Sequence, residues 1–266
     1  MAGSPFAAGT APFSVTVDPS GKFAYVANSF NGVGGNSVSA YTIDPATGAL
    51  SPVAGSPFAA GTNPGSVTVD PSGKFAYVAN NGSANVSVYT INASTGALIP
   101  GTAVAAGTQP ISVTVDPTGK FAYVANFLDG VGGNSISAYT INATTGALAS
   151  VGAAVATGTN PISVTVDPTG KFSYVLNDAS NDVSAYTIDA ATGALSPVAG
   201  SPFAAGANQQ RSVTIDPSGK FVYAANGGGV SAYLIDAATG ALTGMSGSPF
   251  AAGAGPVSVT TTGTIQ

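Results

Sequence analysis

One stretch of fifteen residues constrains the fold of this chain more than any other feature, because it is written five times. Residues 14–28 read SVTVDPSGKFAYVAN, and close copies stand at 66–80, 112–126, 163–177 and 212–226. The aspartates that mark the copies are Asp18, Asp70, Asp116, Asp167 and Asp216, at steps of 52, 46, 51 and 49 residues. A period near fifty signals a repeat architecture, in which each unit buries its apolar surface against its neighbours.

Within one unit the pattern is that of strands. Val15 and Val17 alternate with Ser14 and Thr16, at the strand period of two. Asp18-Pro19-Ser20-Gly21 fits a type I turn, with Asp bonding its own backbone and Pro presetting φ. Phe23, Tyr25 and Ala27 alternate along a second strand, so the pair reads as a hairpin. A third run covers 37–43, and Asp44-Pro45-Ala46-Thr47-Gly48 turns the chain again. Residues 49–58 read as a weaker fourth strand broken by proline, which belongs at a sheet edge.

No helical period occurs. Four-stranded sheets with apolar residues on both faces must stack, and radial stacking gives a β-propeller. A solenoid β-helix is the rival, but its coils are shorter and lack two hairpin turns per repeat. The expected fold is therefore all-β: a single β-propeller domain over 1–266. Five complete four-stranded blades fall at about 12–58, 64–107, 110–158, 161–203 and 210–250. Residues 1–10 match the outer strand of other units, and 256–262 match an inner strand. Both are expected to be extra terminal strands that close the ring or contact another chain, since an unpaired edge recruits strands.

The residues at Tyr25-Val26-Ala27-Asn28, repeated at 77–80 and 123–126, resemble the YVTN repeat. The frame P-x-S-V-T-V-D-P-S-G-K and the turn D-x-x-T-G-A-L are similar to those of bacterial YVTN and lactonase-like propellers, a family that includes relatives of 6-phosphogluconolactonase and of muconate cyclases. The resemblance covers nearly the whole chain. It implies a propeller, usually seven-bladed, with His, Glu and Arg around the channel where a member is a lactonase.

Composition excludes several functions. The net charge is −5 and only 6% of residues are charged, which does not suit nucleic acid. There is no Cys, hence no disulfide or thiol chemistry. His is absent too, so zinc and a Ser–His nucleophile are not expected. No apolar run reaches the length of a membrane-spanning helix. No cofactor is implied. The Ser, Thr, Asn and Gly-rich surface, together with the family resemblance, suggests a secreted or cell-surface bacterial protein, although no signal peptide opens the sequence.

In a repeat protein the departures from the repeat are informative. The five Lys all follow the Asp-Pro turn, and the ten Tyr all fall on pattern in second and third strands, as solvated turn and core residues would. Four charges are off pattern: Arg211, Asp129, Asp178 and Asp182. Arg211 stands where other units have Phe13, Gly65, Ile111 and Ile162, at the start of an inner strand and so near the channel mouth. The three Asp belong to loops between second and third strands, expected on the same face with Phe30 and Phe127. Arg211 suits a carboxylate or phosphate, and 178–182 could offer oxygens to a hard cation, although an ordinary polar turn explains that segment as well.

These six residues are the candidate binding set. The expected function is a non-catalytic scaffold or protein-interaction module, self-associating or binding another protein. One alternative is an unusual lactonase using Arg211 with Asp178 or Asp182. Another is a carbohydrate-binding module using Phe30 and Phe127. A small-molecule ligand is left open.

Overall fold

The computed structural model describes residues 3–29, 35–128, 133–206, 209–253 and 255–262. Among them there is no helix, and therefore none long and apolar enough to cross a membrane. The chain forms five antiparallel sheets in succession. Blade 1 holds β1 (Pro12–Val17), β2 (Phe23–Asn28), β3 (Ser37–Ile43), β4 (Leu50–Pro52) and β5 (Phe58–Ala59). Blade 2 holds β6 (Pro64–Val69), β7 (Phe75–Asn80), β8 (Asn85–Ile91), β9 (Leu98–Pro100) and β10 (Val104–Ala105). Blade 3 holds β11 (Pro110–Val115), β12 (Phe121–Asn126), β13 (Ser135–Ile141), β14 (Leu148–Ser150) and β15 (Val155–Ala156). Blade 4 holds β16 (Pro161–Val166), β17 (Phe172–Asn177), β18 (Asp182–Ile188), β19 (Leu195–Pro197) and β20 (Phe203–Ala204). Blade 5 holds β21 (Ser212–Ile215), β22 (Phe221–Asn226), β23 (Gly229–Ile235) and β24 (Leu242–Gly244).

Sequence order is spatial order from the inner to the outer edge of each blade. The outer strand differs from the expectation of one weak strand. It consists of two short pieces, such as β4 and β5, both paired to β3. The break falls at 53–57, where the Val53 amide bonds the Ala40 carbonyl and Ser56-Pro57 follows. Proline lacks the N–H that a continuous ladder needs.

The Asp-Pro turn is a hydrogen-bonded knot. In blade 3 one Asp116 carboxylate oxygen accepts from the amides of Phe121 (2.7 Å) and Lys120 (2.8 Å). The other accepts from the Thr118 amide (3.0 Å) and hydroxyl. The Gly119 amide closes the turn onto the Asp116 carbonyl at 2.9 Å. The same bonds recur at Asp70, Asp167 and Asp216. All five Lys side chains beside these turns are exposed.

The core lies between blades. Tyr25, Ala27, Val38 and Ala40 of blade 1 pack on Val67, Val78 and Tyr89 of blade 2. Corresponding sets join the later blades. The second strands of blades 2, 3 and 4 are buried on both faces, because a neighbouring blade covers each. The inner strands lie side by side in the order β1, β6, β11, β16, β21.

The terminal segments, expected as strands over 1–10 and 256–262, form no ladder among their described residues. Ala7 offers its carbonyl to the Tyr41 hydroxyl at 2.5 Å, as Ala59 does to Tyr89 at 2.6 Å. Residues 256–262 run beside β21, where the Thr261 hydroxyl donates to the Ile215 carbonyl at 2.9 Å.

Candidate functional site

The first residues of the inner strands surround a central channel of about 930 Å³. Each strand enters it through the same backbone device. Ala11, Asn63, Gln109, Asn160 and Gln209 hold φ between 48° and 57° just before the strand. Left-handed backbone is more readily adopted by Asn than by most other residues. A buried Asn ends each second strand beneath this crossing. Asn126 donates to the hydroxyls of Ser135 (3.0 Å) and Ser137 (2.9 Å), and accepts from the Gly107 amide at 3.1 Å. Asn126 thus ties the passage from blade 2's outer strand to blade 3's inner strand, whereas the Oδ1 atoms of Asn28, Asn80 and Asn177 accept no bond among the described residues. The motif displayed this residue in every unit, but nothing local in the sequence signalled its role.

Arg211, Asp178 and Phe127 all line the channel, together with Asn63, Asn81 and Gln109. The Arg211 amide bonds the Ala225 carbonyl at 3.0 Å, which fixes the backbone while leaving the side chain exposed. No ion pair holds its guanidinium among the described residues. The Asp178 amide bonds the Asn160 carbonyl at 2.8 Å, so its loop is tied to the strand entry. Asp178 is the one carboxylate among the described lining residues, and Arg211 the one cation.

Asp182 is placed differently from the expected loop position. It is the first residue of β18, registered with Asn177 on one side and Ala204 on the other. Its carboxylate accepts from the Asn177 side chain at 2.6 Å, which takes it into the sheet and out of the channel lining. The reason is positional: Asp182 aligns with Asn85 and Ser37, whose side chains make the same link to the buried Asn. Phe30 and Asp129 lie outside the described residues. The cation reading of 178–182 gains no support, since Asp178 and Asp182 serve different places. Among the described residues no three His, Cys, Asp or Glu are grouped to hold a metal.

The lining missed by the sequence reading is amide-rich. Asn63 and Gln109 share one repeat position and Asn81 opens the variable loop, as Phe127 and Asp178 do in their units, and only the radial arrangement brings them together. The Asn81 side chain donates to the Gln109 carbonyl at 3.3 Å. A mouth with one cation, one anion and several amides can orient a polyhydroxylated ligand and pair with its acidic group.

Comparison with known proteins agrees with the geometry. The family model for "Lactonase, 7-bladed beta-propeller" matches residues 2–115 and 98–209. A search of curated proteins finds no match. Among solved structures, a Bacteroides uniformis protein provisionally named a 6-phosphogluconolactonase superposes with a TM-score of 0.74 at 21% identity, over 90% of this chain and 72% of that one. The Pseudomonas aeruginosa periplasmic gluconolactonase PpgL gives 0.67 at 19% identity, over 88% and 69%. Hydrazine synthase of Kuenenia stuttgartiensis gives 0.65 at 23%, over 92% and 69%. At such identities the structural likenesses speak for the fold alone. The family match spans most of the sequence, and this chain belongs to the lactonase family of β-propellers.

Proposed function

We propose that the channel mouth binds a sugar lactone and hydrolyses it, with Arg211 and Asp178 as the working pair. The observation that carries this reading is their common position: the single Arg of the chain, off the repeat, lines the same channel as the single lining carboxylate. Family membership supports the substrate class. In the reaction a water adds to the lactone carbonyl and the ring C–O bond breaks. The water's proton passes to the leaving alkoxide, giving a hydroxy acid. Asp178 is the group available to take that proton, because the chain has neither His nor Glu. Arg211 stabilises charge on the carbonyl oxygen or holds an acidic substituent of the sugar. The amides of Asn63, Asn81 and Gln109 orient the hydroxyls.

The test is hydrolysis of a panel of sugar lactones, with and without a phosphate group. Turnover above background that is lost in both Arg211→Ala and Asp178→Asn is expected. Turnover that survives both changes, or none with any lactone, defeats the reading. Arg211 is exposed, so its loss should leave the fold intact.

A further inference from the structure

The turn between the third strand and the outer strand is written in two ways. Blades 1, 4 and 5 have Asp44-Pro45-Ala46, Asp189-Ala190-Ala191 and Asp236-Ala237-Ala238 there. Blades 2 and 3 have Asn92-Ala93-Ser94 and Asn142-Ala143-Thr144. The two positions change together: Asn stands where a hydroxyl residue follows two places on, and Asp where Ala does. Turn formation demands neither change. The Asp189 carboxylate accepts from the amides of Ala191 (3.0 Å) and Thr192 (2.8 Å). The Asn92 side-chain oxygen does the same work for Ser94 (3.0 Å) and Thr95 (3.1 Å), and that of Asn142 for Thr144 (2.9 Å) and Thr145 (3.0 Å). The Nδ2 groups of Asn92 and Asn142 and the hydroxyls of Ser94 and Thr144 make no hydrogen bond among the described residues. All four residues are exposed.

Asn-x-Ser/Thr is the acceptor sequence for N-linked glycans, and an exposed turn is the context in which it can be used. Two further triplets of this form occur, and the structure separates them from the turns. Asn81-Gly82-Ser83 belongs to the channel wall. Its Asn81 is half-buried, with Nδ2 committed to the Gln109 carbonyl at 3.3 Å. Its Ser83 hydroxyl accepts from the Thr62 amide and donates to Asn85, both at 3.1 Å. Asn85-Val86-Ser87 lies inside β8, with Asn85 registered with Asn80 on one side and Ala105 on the other. The Asn80 side chain donates to the Asn85 oxygen and to the Ser87 hydroxyl, each at 2.8 Å. The two turns thus present the carboxamide nitrogen and the hydroxyl uncommitted, and the other two triplets do not.

We propose that Asn92 and Asn142 are attachment sites for N-linked glycans. Nδ2 bonds to the anomeric carbon of an oligosaccharide carried on a polyprenyl diphosphate. The bond from that carbon to the diphosphate oxygen breaks, the carrier leaves as the diphosphate, and the amide nitrogen gives up one proton to the medium. The hydroxyls of Ser94 and Thr144 are the groups the transferase reads two residues on. The substituted amide keeps its carbonyl oxygen, so the bonds that shape the turn survive the modification. The backbone holds the turn as well: the Asn92 amide bonds the Ala97 carbonyl at 2.9 Å, and the Gly96 amide bonds the Asn92 carbonyl at 2.8 Å. Asn92 follows Ile91, at the end of β8 remote from Asn85 and the channel-lining Asn81. Asn142 follows Ile141 at the same end of β13. The two glycans therefore stand on adjacent blades, at the face away from the channel mouth.

The test is peptide mapping by mass spectrometry of the full chain isolated from the cells that make it, before and after an amide-cleaving N-glycosidase. Glycan is expected on Asn92 and Asn142, with aspartate left at both positions after the enzyme, and bare asparagine at 81 and 85. Asn92→Asp and Asn142→Asp restore the turn residue of the other blades and should each remove one glycan. Ser94→Ala and Thr144→Ala should remove the same two glycans while leaving each Asn in place. None of the four should shift the melting of the enzymatically deglycosylated chain, because the turn bonds are kept. Bare asparagine at both turns overturns the proposal. So does glycan confined to Asn81 or Asn85, and so does glycan at the turns that survives both hydroxyl deletions. Lactone turnover, read separately, should be the same in all four variants, so failure of the lactone reading leaves this one standing.

Discussion

The Tyr77 hydroxyl donates to the Gly146 carbonyl at 2.9 Å, joining the second and third blades across 69 residues of sequence. The ring is fully buried, and burial holds its phenol well above the ordinary value of 10.0, with the nearby Asp70 charge adding to the effect. Tyr77→Phe removes the bond and leaves a buried carbonyl unpaired, at a cost of about 1–2 kcal/mol. Tyr223→Phe, at the equivalent position with no hydrogen-bond partner among the described residues, should change stability by no more than about 0.5 kcal/mol. Chemical denaturation of the two variants checks the contrast, and equal losses would count against it.

Gly146 itself is held by both backbone and space. Its φ is +71°, and a Cβ there would stand 2.4 Å from the Phe75 ring. Gly21 has φ +70° but nothing within 4 Å of the same built atom. Gly21→Ala should therefore cost only the backbone strain, about 1 kcal/mol. Gly146→Ala adds overpacking and should cost about 2–4 kcal/mol in total. Melting curves that rank the two variants in the opposite order would refute this account.

Asp116→Ala tests the turn. The carboxylate is buried and accepts from three amides and a hydroxyl. Its loss strands the Phe121 amide at the blade boundary, so the cost should be about 1–3 kcal/mol, above the roughly one-bond value of an exposed turn. Lactone turnover at a temperature where the variant is folded should not change. Activity lost without any fall in stability would make these aspartates a site.

Much of this fold was legible because the same local rules are written five times. The hairpin turn, the strand alternation and the proline-broken edge each follow from residue types that act over a few positions. The candidate site was legible only in part. Arg211 and Asp178 stood out as departures from the repeat, and both line the channel. Asn63, Asn81 and Gln109 carry no charge to mark them out, and their convergence depends on the radial packing of separate blades. Asp182 was misplaced because a β-strand begins one residue earlier than the loop composition suggested, where its carboxylate meets Asn177. The exposures of Val15 and Val67 could not be read from the motif they share, since they differ only in what lies beside them.

Stability should decline at both ends of the pH scale. Burial alone would raise the Asp18 carboxyl, but its bonds from Ser20, Phe23 and Lys22 prevail and hold it below the ordinary 3.8. Asp216 behaves in the same way through Ser218, Phe221 and Lys220. A depressed folded value contributes stability that is present above the unfolded value and is lost as pH falls through the folded one. The acid loss should thus begin near 3.8 and deepen below it. At the alkaline end burial pushes Tyr186 up to about 12. Its neutral phenol is favoured in the folded state, so stability is full below 10.0 and falls as pH rises toward 12. Melting temperatures across this range should show a plateau between the two limbs. A melting temperature that holds from pH 10 to 12 would contradict the burial of these phenols.

Val15 and Val67 give the sharpest comparison, because the motif around them is the same and their exposures are 67% and 4%. Val67 packs in the cluster that joins Tyr25 and Val38 of blade 1 to Val78 and Tyr89 of blade 2. Truncating it to Ala removes buried carbon and leaves a cavity between blades, at a cost of about 2 kcal/mol. Val15→Ala removes carbon that already faces solvent and should stay within about 0.5 kcal/mol of the parent. The difference belongs to blade packing, since strand propensity changes equally at both positions. Denaturation of the two variants checks the contrast, and a Val15→Ala loss as large as that of Val67→Ala would refute it.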